Sequence, residues 1–297
     1  MGYGFSTCHE EYTKSKEPVL ILNDDKHSLS IPGKTGTIHN ECPWNFAKGC
    51  SWNAIYVAFE IPEYIVNGID NVTLINTFTN KKVHVKVKKQ VNGDKENNND
   101  FTICVPPMYW YENILQLFIF HEYWLSNGAT NIVYYYHSTS SDVMKLLKYY
   151  KNLKLATLIP YKSLPKSDQV DPNKSVYRYG HTSGINDCLQ RFNSKYVSIL
   201  DVDEFIYVFG NNDIPNKVYN FINNVFSSHN QYSAISFAHH GYDINNEVFD
   251  GTFDFLKNIS IYSRGGPPKF VVRQKRILVV TSHIIAKPSS FVKKTVS

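Results

Sequence analysis

Tyr196-Val197-Ser198-Ile199-Leu200-Asp201-Val202-Asp203-Glu204-Phe205 is the stretch whose reading decides the fold. Its leading half is a short apolar run that reads as a buried strand, and it passes directly into two carboxylates one residue apart. Extended backbone sends residues i and i+2 to the same side, which predicts that Asp201 and Asp203 converge on one point. Such oxygen ligands suit a hard divalent cation, Mg²⁺ or Mn²⁺, and a cation held this way usually also bridges substrate phosphates. The pattern therefore points to an enzyme that grips a nucleotide diphosphate through a metal. Spacing alone decides little, because about one Asp-x-Asp is expected by chance in a chain of this length and Asp content. Taken in isolation the pair reads as a solvated acidic turn at a strand end.

The surroundings change that balance. Phe101 to Val105 is a compact apolar strand stopped by Pro106-Pro107. From Glu112 to Ser126, apolar residues at Ile114, Leu117, Phe118 and Leu125 form the stripe of a helix, closed by Asn127-Gly128. A strand at 132–136, a helix at 142–150 capped by Ser140 or Ser141, a strand at 153–159 and a helix at 180–192 then lead into the acidic strand. This alternation predicts an α/β fold with a mainly parallel sheet covered by helices on both faces. Ligands of such sheets sit beyond the carboxyl ends of the strands. The groups expected at that rim are Pro106 to Glu112, Tyr136-His137-Ser138 and Asp201 to Glu204.

Before this unit the pattern differs. Residues 51–59, 72–76 and 82–88 carry strand composition, the last alternating so as to predict a half-exposed strand with a basic outer face. A wholly polar stretch from Asn92 to Asp100 reads as a linker. We therefore expect a β-rich N-terminal domain over residues 1–99 and the α/β domain over 100–297.

The chain has 297 residues, a formal charge of +5 and 14% aromatic residues. Aromatic richness suits strand packing and stacking on sugars or bases. The absence of a long Lys/Arg block argues against nucleic acid as partner. No run of about eighteen apolar residues exists to span a bilayer, and the first residues lack a signal-peptide layout. Met1-Gly2-Tyr3-Gly4-Phe5-Ser6 matches the loose myristoylation pattern without a polybasic partner. Of five cysteines, Cys42 and Cys50 bracket a loop that a disulfide between them would close, and no zinc-ligand spacing occurs. Asn71, Asn173 and Asn258 begin Asn-x-Ser/Thr triplets, about as many as this Asn-rich composition generates by chance.

Candidate chemistry follows from this frame. Asp203 is expected to ligate the metal directly, and Asp201 to ligate it or to meet ribose hydroxyls; Glu204 orients a neighbour or is solvated. Lys269, Arg273 and Arg276 are cations able to clamp phosphate oxygens, or else a basic face flanking a strand. His283 ends an apolar run as a core or rim histidine, or as a third metal ligand. Asn186 and Asp187, on the helix before the acidic strand, reach the nucleotide or cap locally. Asp243, Glu247 and Asp250 each offer a carboxylate to deprotonate an acceptor hydroxyl.

Several segments together, in order across residues 40–285, resemble glycosyltransferase family 92. They are Cys42-Pro43-Trp44 to Cys50-Ser51-Trp52, Cys104-Val105-Pro106-Pro107-Met108-Tyr109 with Glu112-Asn113, and Tyr136-His137-Ser138. Asn186-Asp187-Cys188-Leu189-Gln190-Arg191, Asp201 to Phe205, and Lys269 to Arg273 leading to His283 complete the set. The resemblance implies a GT-A fold, a nucleotide-sugar donor (UDP-galactose foremost), a glycan acceptor, Mn²⁺ or Mg²⁺, and inversion at the transferred sugar. It makes Asp201, Asp203 and His283 the metal set. Pro107, Tyr109 and Glu112 form the nucleotide pocket, with His137, Asn186, Asp187, Lys269 and Arg273 counted among the donor-binding groups. It also implies a Golgi membrane protein facing the lumen, anchored by a segment expected to be missing from this chain. Gly180-His181 and Arg273-Gln274 depart from the family pattern, and the chain ends soon after His283 where relatives continue. These departures motivate an alternative, a truncated, non-catalytic sugar- or nucleotide-binding relative. The acidic pair alone would also serve a nucleotidyltransferase or phosphodiesterase.

Overall fold

A computed structural model describes residues 1–8, 19–24, 27–38, 47–62, 64, 69–77, 80–88, 100–210, 214–244, 252–253, 256 and 259–288. The polar segment expected to divide the domains lies outside these residues, as do Cys42, Glu247 and Asp250. The N-terminal part is an antiparallel sheet of β1 (Gly2–Thr7), β2 (Val19–Asp24), β3 (His27–Thr37), β4 (Trp52–Phe59), β5 (Asn71–Ile75) and β6 (Lys82–Lys86). Their order is β1-β4-β3-β2-β5-β6. The expected half-burial of the alternating strand does not occur: β6 is the edge of the sheet and is exposed along its whole length. Cys50 is a free thiol, so no Cys42–Cys50 disulfide closes that loop, and Cys8 is disulfide-bonded.

The second sheet is the one the alternating pattern predicts. It contains β7 (Phe101–Met108), β8 (Asn131–Tyr136), β9 (Ala156–Pro160), β10 (Tyr196–Ile199), β11 (Ala234–Phe237) and β14 (Lys269–Arg273). Their order is β11-β14-β10-β7-β8-β9, with β10, β7, β8 and β9 mutually parallel and β14 antiparallel to both its neighbours. Among the described residues, two small antiparallel ribbons add β12 (His240–Ile244) with β13 (Ile259–Ser263), and β15 (Ile277–Val280) with β16 (Ile285–Pro288).

Among the described residues, four α-helices cover the sheet: α1 (Ile114–Ser126), α2 (Ser141–Asn152), α3 (His181–Arg191) and α4 (Lys217–Ser228). Local sequence explains their ends. Asn113 Oδ1 accepts the Gln116 N–H at 3.0 Å to start α1, and Gly128 takes φ +92° just past its end. Ser140 caps α2 through the Val143 N–H at 3.3 Å. Alternation along β7 then sorts the core: Ile103 and Val105 face one layer and Cys104 the other. The first layer is closed by Leu117, Phe120 and Trp124 of α1, Leu147 of α2 and Ile222 of α4. The second is closed by Ile185 and Leu189 of α3, and a Cys104–Cys188 disulfide fastens that helix to β7.

The N-terminal sheet leans on this second layer. Tyr3 Oη donates to the Asn186 carbonyl at 2.9 Å, Ser51 and Ser175 hydroxyls meet at 2.7 Å, and Val279 is buried with Ile38, Ala54 and Tyr56. From β7 the chain runs outward to β8 and β9, then returns to lay β10 on the other side of β7. That reversal is a topological switch point, where the loops leaving adjacent strands diverge and open a crevice.

Candidate functional site

The switch point is formed by the ends of β7 and β10, with Ile199 opposite Cys104 and Leu200 N–H bonded to the Cys104 carbonyl at 3.1 Å. The acidic segment leaves the strand here but is not extended. Glu204 N–H donates to the Asp201 carbonyl at 3.0 Å and Asp201 N–H to Glu204 Oε2 at 2.8 Å, which closes a tight turn. The i, i+2 argument therefore fails for Asp201 and Asp203, because the strand ends at Ile199 before either is reached. What presents both carboxylates to solvent is the turn and its place on the rim.

Lys269, first residue of the antiparallel β14, reaches this turn from the side. Its ammonium lies 2.7 Å from Glu204 Oε2 and 3.7 Å from Asp201 Oδ2, with only 11% of the side chain exposed. Burial raises the Glu204 carboxyl above its usual range, and the Lys269 charge works against that. His283, after β15, is half-buried, and its Nδ1 is buried without a hydrogen-bond partner. Burial first, then the Lys269 charge, hold His283 below the ordinary imidazole value, with the Pro268 backbone and then the Asp201 carboxylate only partly opposing. A neutral imidazole with an unused nitrogen beside exposed carboxylates is a donor set that suits a divalent cation. Among the described residues, no three His, Cys, Asp or Glu groups stand close enough to hold one as they are.

Two tyrosines that sequence reasoning passed over flank the turn. Tyr242 Oη donates to the Asp203 carbonyl at 3.2 Å, and its hydroxyl is pushed up by burial and by the Asp203 and Glu204 charges. Tyr111 is pushed up by burial and by Asp203. Tyr111 lies inside the quoted 106–112 rim, but only the fold shows that it, rather than Glu112, senses the acidic turn. Glu112 is exposed at the start of α1, and Pro107 is buried. A Cβ on Gly184 would stand 2.9 Å from Pro107 Cγ, so the glycine lets α3 approach the β7 end.

Beside the turn, the loops after β7 and β8 gather an aromatic cluster. Tyr109 lies 5.2 Å from His137 and 4.7 Å from Tyr179, ring centre to ring centre, and Trp110 is 68% exposed. Trp110, Arg178 and Tyr179 hold φ of +48°, +44° and +53°, values that non-glycine residues rarely adopt. Backbone strain of this kind concentrates at ligand sites. On the other side of the turn an apolar groove of about 640 Å³ is lined by Phe205, Tyr207, Phe209, Tyr242 and Ile261, among others.

Other candidates are held elsewhere. Asn186 is fully buried and clamps β15: its amide donates to the Val280 carbonyl at 2.7 Å and accepts the Val280 N–H at 2.9 Å. Asp187 is bonded to Arg191 and to the Tyr135 hydroxyl. Neither reaches outward to a nucleotide nor merely caps its own helix. Arg273 pairs with Tyr196, at the opposite end of the sheet from Asp201, and its guanidinium lies 4.7 Å over the Phe226 ring. Arg276 donates there to the Asn230 and Tyr232 carbonyls. Asp243 neighbours Tyr242 on β12, so with Tyr242 turned to Asp203 its carboxylate points to the other side of the ribbon.

A mainly parallel sheet with a topological switch point places its ligand site beyond the strand ends, where the acidic turn stands. The model for glycosyltransferase family 92 matches residues 99–295, and the chain belongs to that family. Two crystal structures of S. aureus TarS 1–349, one in complex with UDP, are similar over 59% of this chain at 10% and 11% identity, each with a TM-score of 0.32. This chain covers 47% of theirs. No curated protein matches the sequence. Among the described residues no helix is long and apolar enough to cross a membrane.

Proposed function

We propose that the chain transfers a hexose, galactose foremost, from a nucleotide-sugar donor to a glycan acceptor, with inversion at the anomeric carbon. The observation that carries this reading is the exposed Asp201–Glu204 turn at the switch point, with His283 Nδ1 buried and unpartnered beside it. Asp201, Asp203 and His283 would hold Mn²⁺ or Mg²⁺, which when bound supplies positive charge against the diphosphate leaving group. Lys269, nine-tenths buried against the same carboxylates, adds a fixed positive charge on that side.

The exposed Trp110 and the Tyr109–His137–Tyr179 stack suit the flat face of a nucleobase, and the aromatic groove around Phe205 and Tyr242 suits sugar rings. The acceptor hydroxyl attacks from the side opposite the diphosphate and gives its proton to a carboxylate. Glu247 and Asp250, in the stretch after β12, are the candidates for that base, since Asp243 faces away. The buried Cys104–Cys188 disulfide supports folding in an oxidising compartment, in keeping with a lumenal Golgi enzyme.

Turnover of UDP-galactose with an N-glycan or galactan acceptor, with and without Mn²⁺, tests the reading. Release of UDP that is abolished by Asp203→Ala is expected; full activity in that variant removes the metal role. The departures from the family pattern at Gly180-His181 and Arg273-Gln274 favour a second reading, a binding protein without turnover. Calorimetric donor binding with no transfer to any acceptor would select it.

A further inference from the structure

At the far end of the sheet from the acidic turn, a cleft of about 500 Å³ is lined by Lys195, Arg273, Lys275, Arg276, Tyr196 and Asp100, among others. Asp201 lies five residues along the chain from Tyr196, which puts this cleft roughly 15 Å from the switch point. Four cations face one carboxylate, and none of the four forms an ion pair among the described residues. Arg273 donates to the Phe226 carbonyl, Arg276 to the Asn230 and Tyr232 carbonyls, and Lys195 to Asn223 Oδ1 at 2.9 Å. Asp100 is engaged by the Tyr219 hydroxyl at 3.4 Å rather than by a cation. Arg273 Nε is buried without a partner. Burial and the neighbouring Arg276 charge both press the Arg273 guanidinium below its usual value, with Tyr196 opposing, so the two like charges repel without an anion between them.

We infer that this cleft is a second binding site, separate from the transfer site, for a tetrahedral oxyanion carried as a phosphate or sulfate group. Guanidinium forks match such anions geometrically, and an anion placed there would relieve the Arg273–Arg276 repulsion and pair Nε. Lys275, exposed and with no partner among the described residues, is free to close over it.

Calorimetric titration of the full chain with inorganic pyrophosphate, and separately with glucose 6-sulfate, tests the site. At least one of the two is expected to bind, with affinity about tenfold weaker in Lys275→Gln and weaker still in Lys275→Gln/Arg276→Gln. Binding of pyrophosphate alone marks a free phosphate anion as the ligand, and tighter binding of the sulfated sugar marks a charged glycan; either supports the site. Lys269→Gln, which alters the transfer site, should leave intact the component of each titration that Lys275→Gln weakens. Binding of neither probe, binding indifferent to Lys275→Gln, or loss of the Lys275-dependent component in Lys269→Gln overturns the inference. Because Lys275 makes no contact that folding needs, its variant separates loss of the site from loss of the fold.

Discussion

At Asp203 the backbone carbonyl is already used by Tyr242 while the carboxylate is free in solvent. Under the proposed function Asp203→Ala lowers kcat/KM by at least about 100-fold, the scale of losing one preorganised charge at a reacting centre. His283→Ala, assayed across a Mn²⁺ titration, should raise the half-activating concentration by at least about tenfold. An unchanged titration curve would remove His283 from the metal set. Asn186 behaves differently, because it joins α3 to β15 from a fully buried position. Replacing it with Ala leaves the Val280 N–H and carbonyl unpaired, at a cost of about 1–3 kcal/mol in urea unfolding. Donor affinity of the folded fraction should not move; a fall in that affinity with unchanged stability would restore Asn186 to the donor site.

Elements place the site through β7, β10 and α3. The acidic turn can stand on the rim only because β10 pairs in parallel with β7, and α3 supplies the crossover that makes this pairing possible. The Cys104–Cys188 disulfide closes the loop between those elements, so Cys104→Ala/Cys188→Ala should lower stability by about 2–4 kcal/mol. Calorimetric melting of the double variant measures this, and a melting temperature equal to that of the parent would show that packing of Ile185 and Leu189 suffices. Gly184 belongs to the same scale, since its missing Cβ lets the helix sit against Pro107.

The whole molecule carries a pH dependence set deep in its core. His121 is fully buried, stacked 3.5 Å from Tyr150 and hydrogen-bonded to the Tyr134 hydroxyl at 2.9 Å, and burial pushes it down to about 3. In the unfolded chain the same imidazole titrates near 6.5, so between these values the unfolded state binds a proton that the folded state refuses. Stability should therefore fall as pH drops below about 6.5, by up to about 1.4 kcal/mol per pH unit from this residue. Urea unfolding at pH 7, 6 and 5 should show that slope in the parent and a shallower one in His121→Gln; equal slopes in both would assign the acid sensitivity elsewhere.

Periodicity and end signals in the sequence were enough for the alternating strands and helices, for a serine cap at 140 or 141 and the Gly128 stop, and for the rim on which Asp201 and Asp203 lie. These follow from local backbone preference and from which face must be buried, both of which are written into a few consecutive residues. The geometry of the acidic pair was not, since a turn replaces the expected extended backbone as soon as β10 ends. Nor were the partners of Asn186 and Asp187, the separation of Arg273 from the site, or the approach of Tyr111 and Tyr242 to the acidic turn, while Lys269 and His283 were brought to it by the family resemblance and not by periodicity or spacing. Those depend on which distant segments the sheet order brings side by side, and register between strands many residues apart is settled only when the whole core packs.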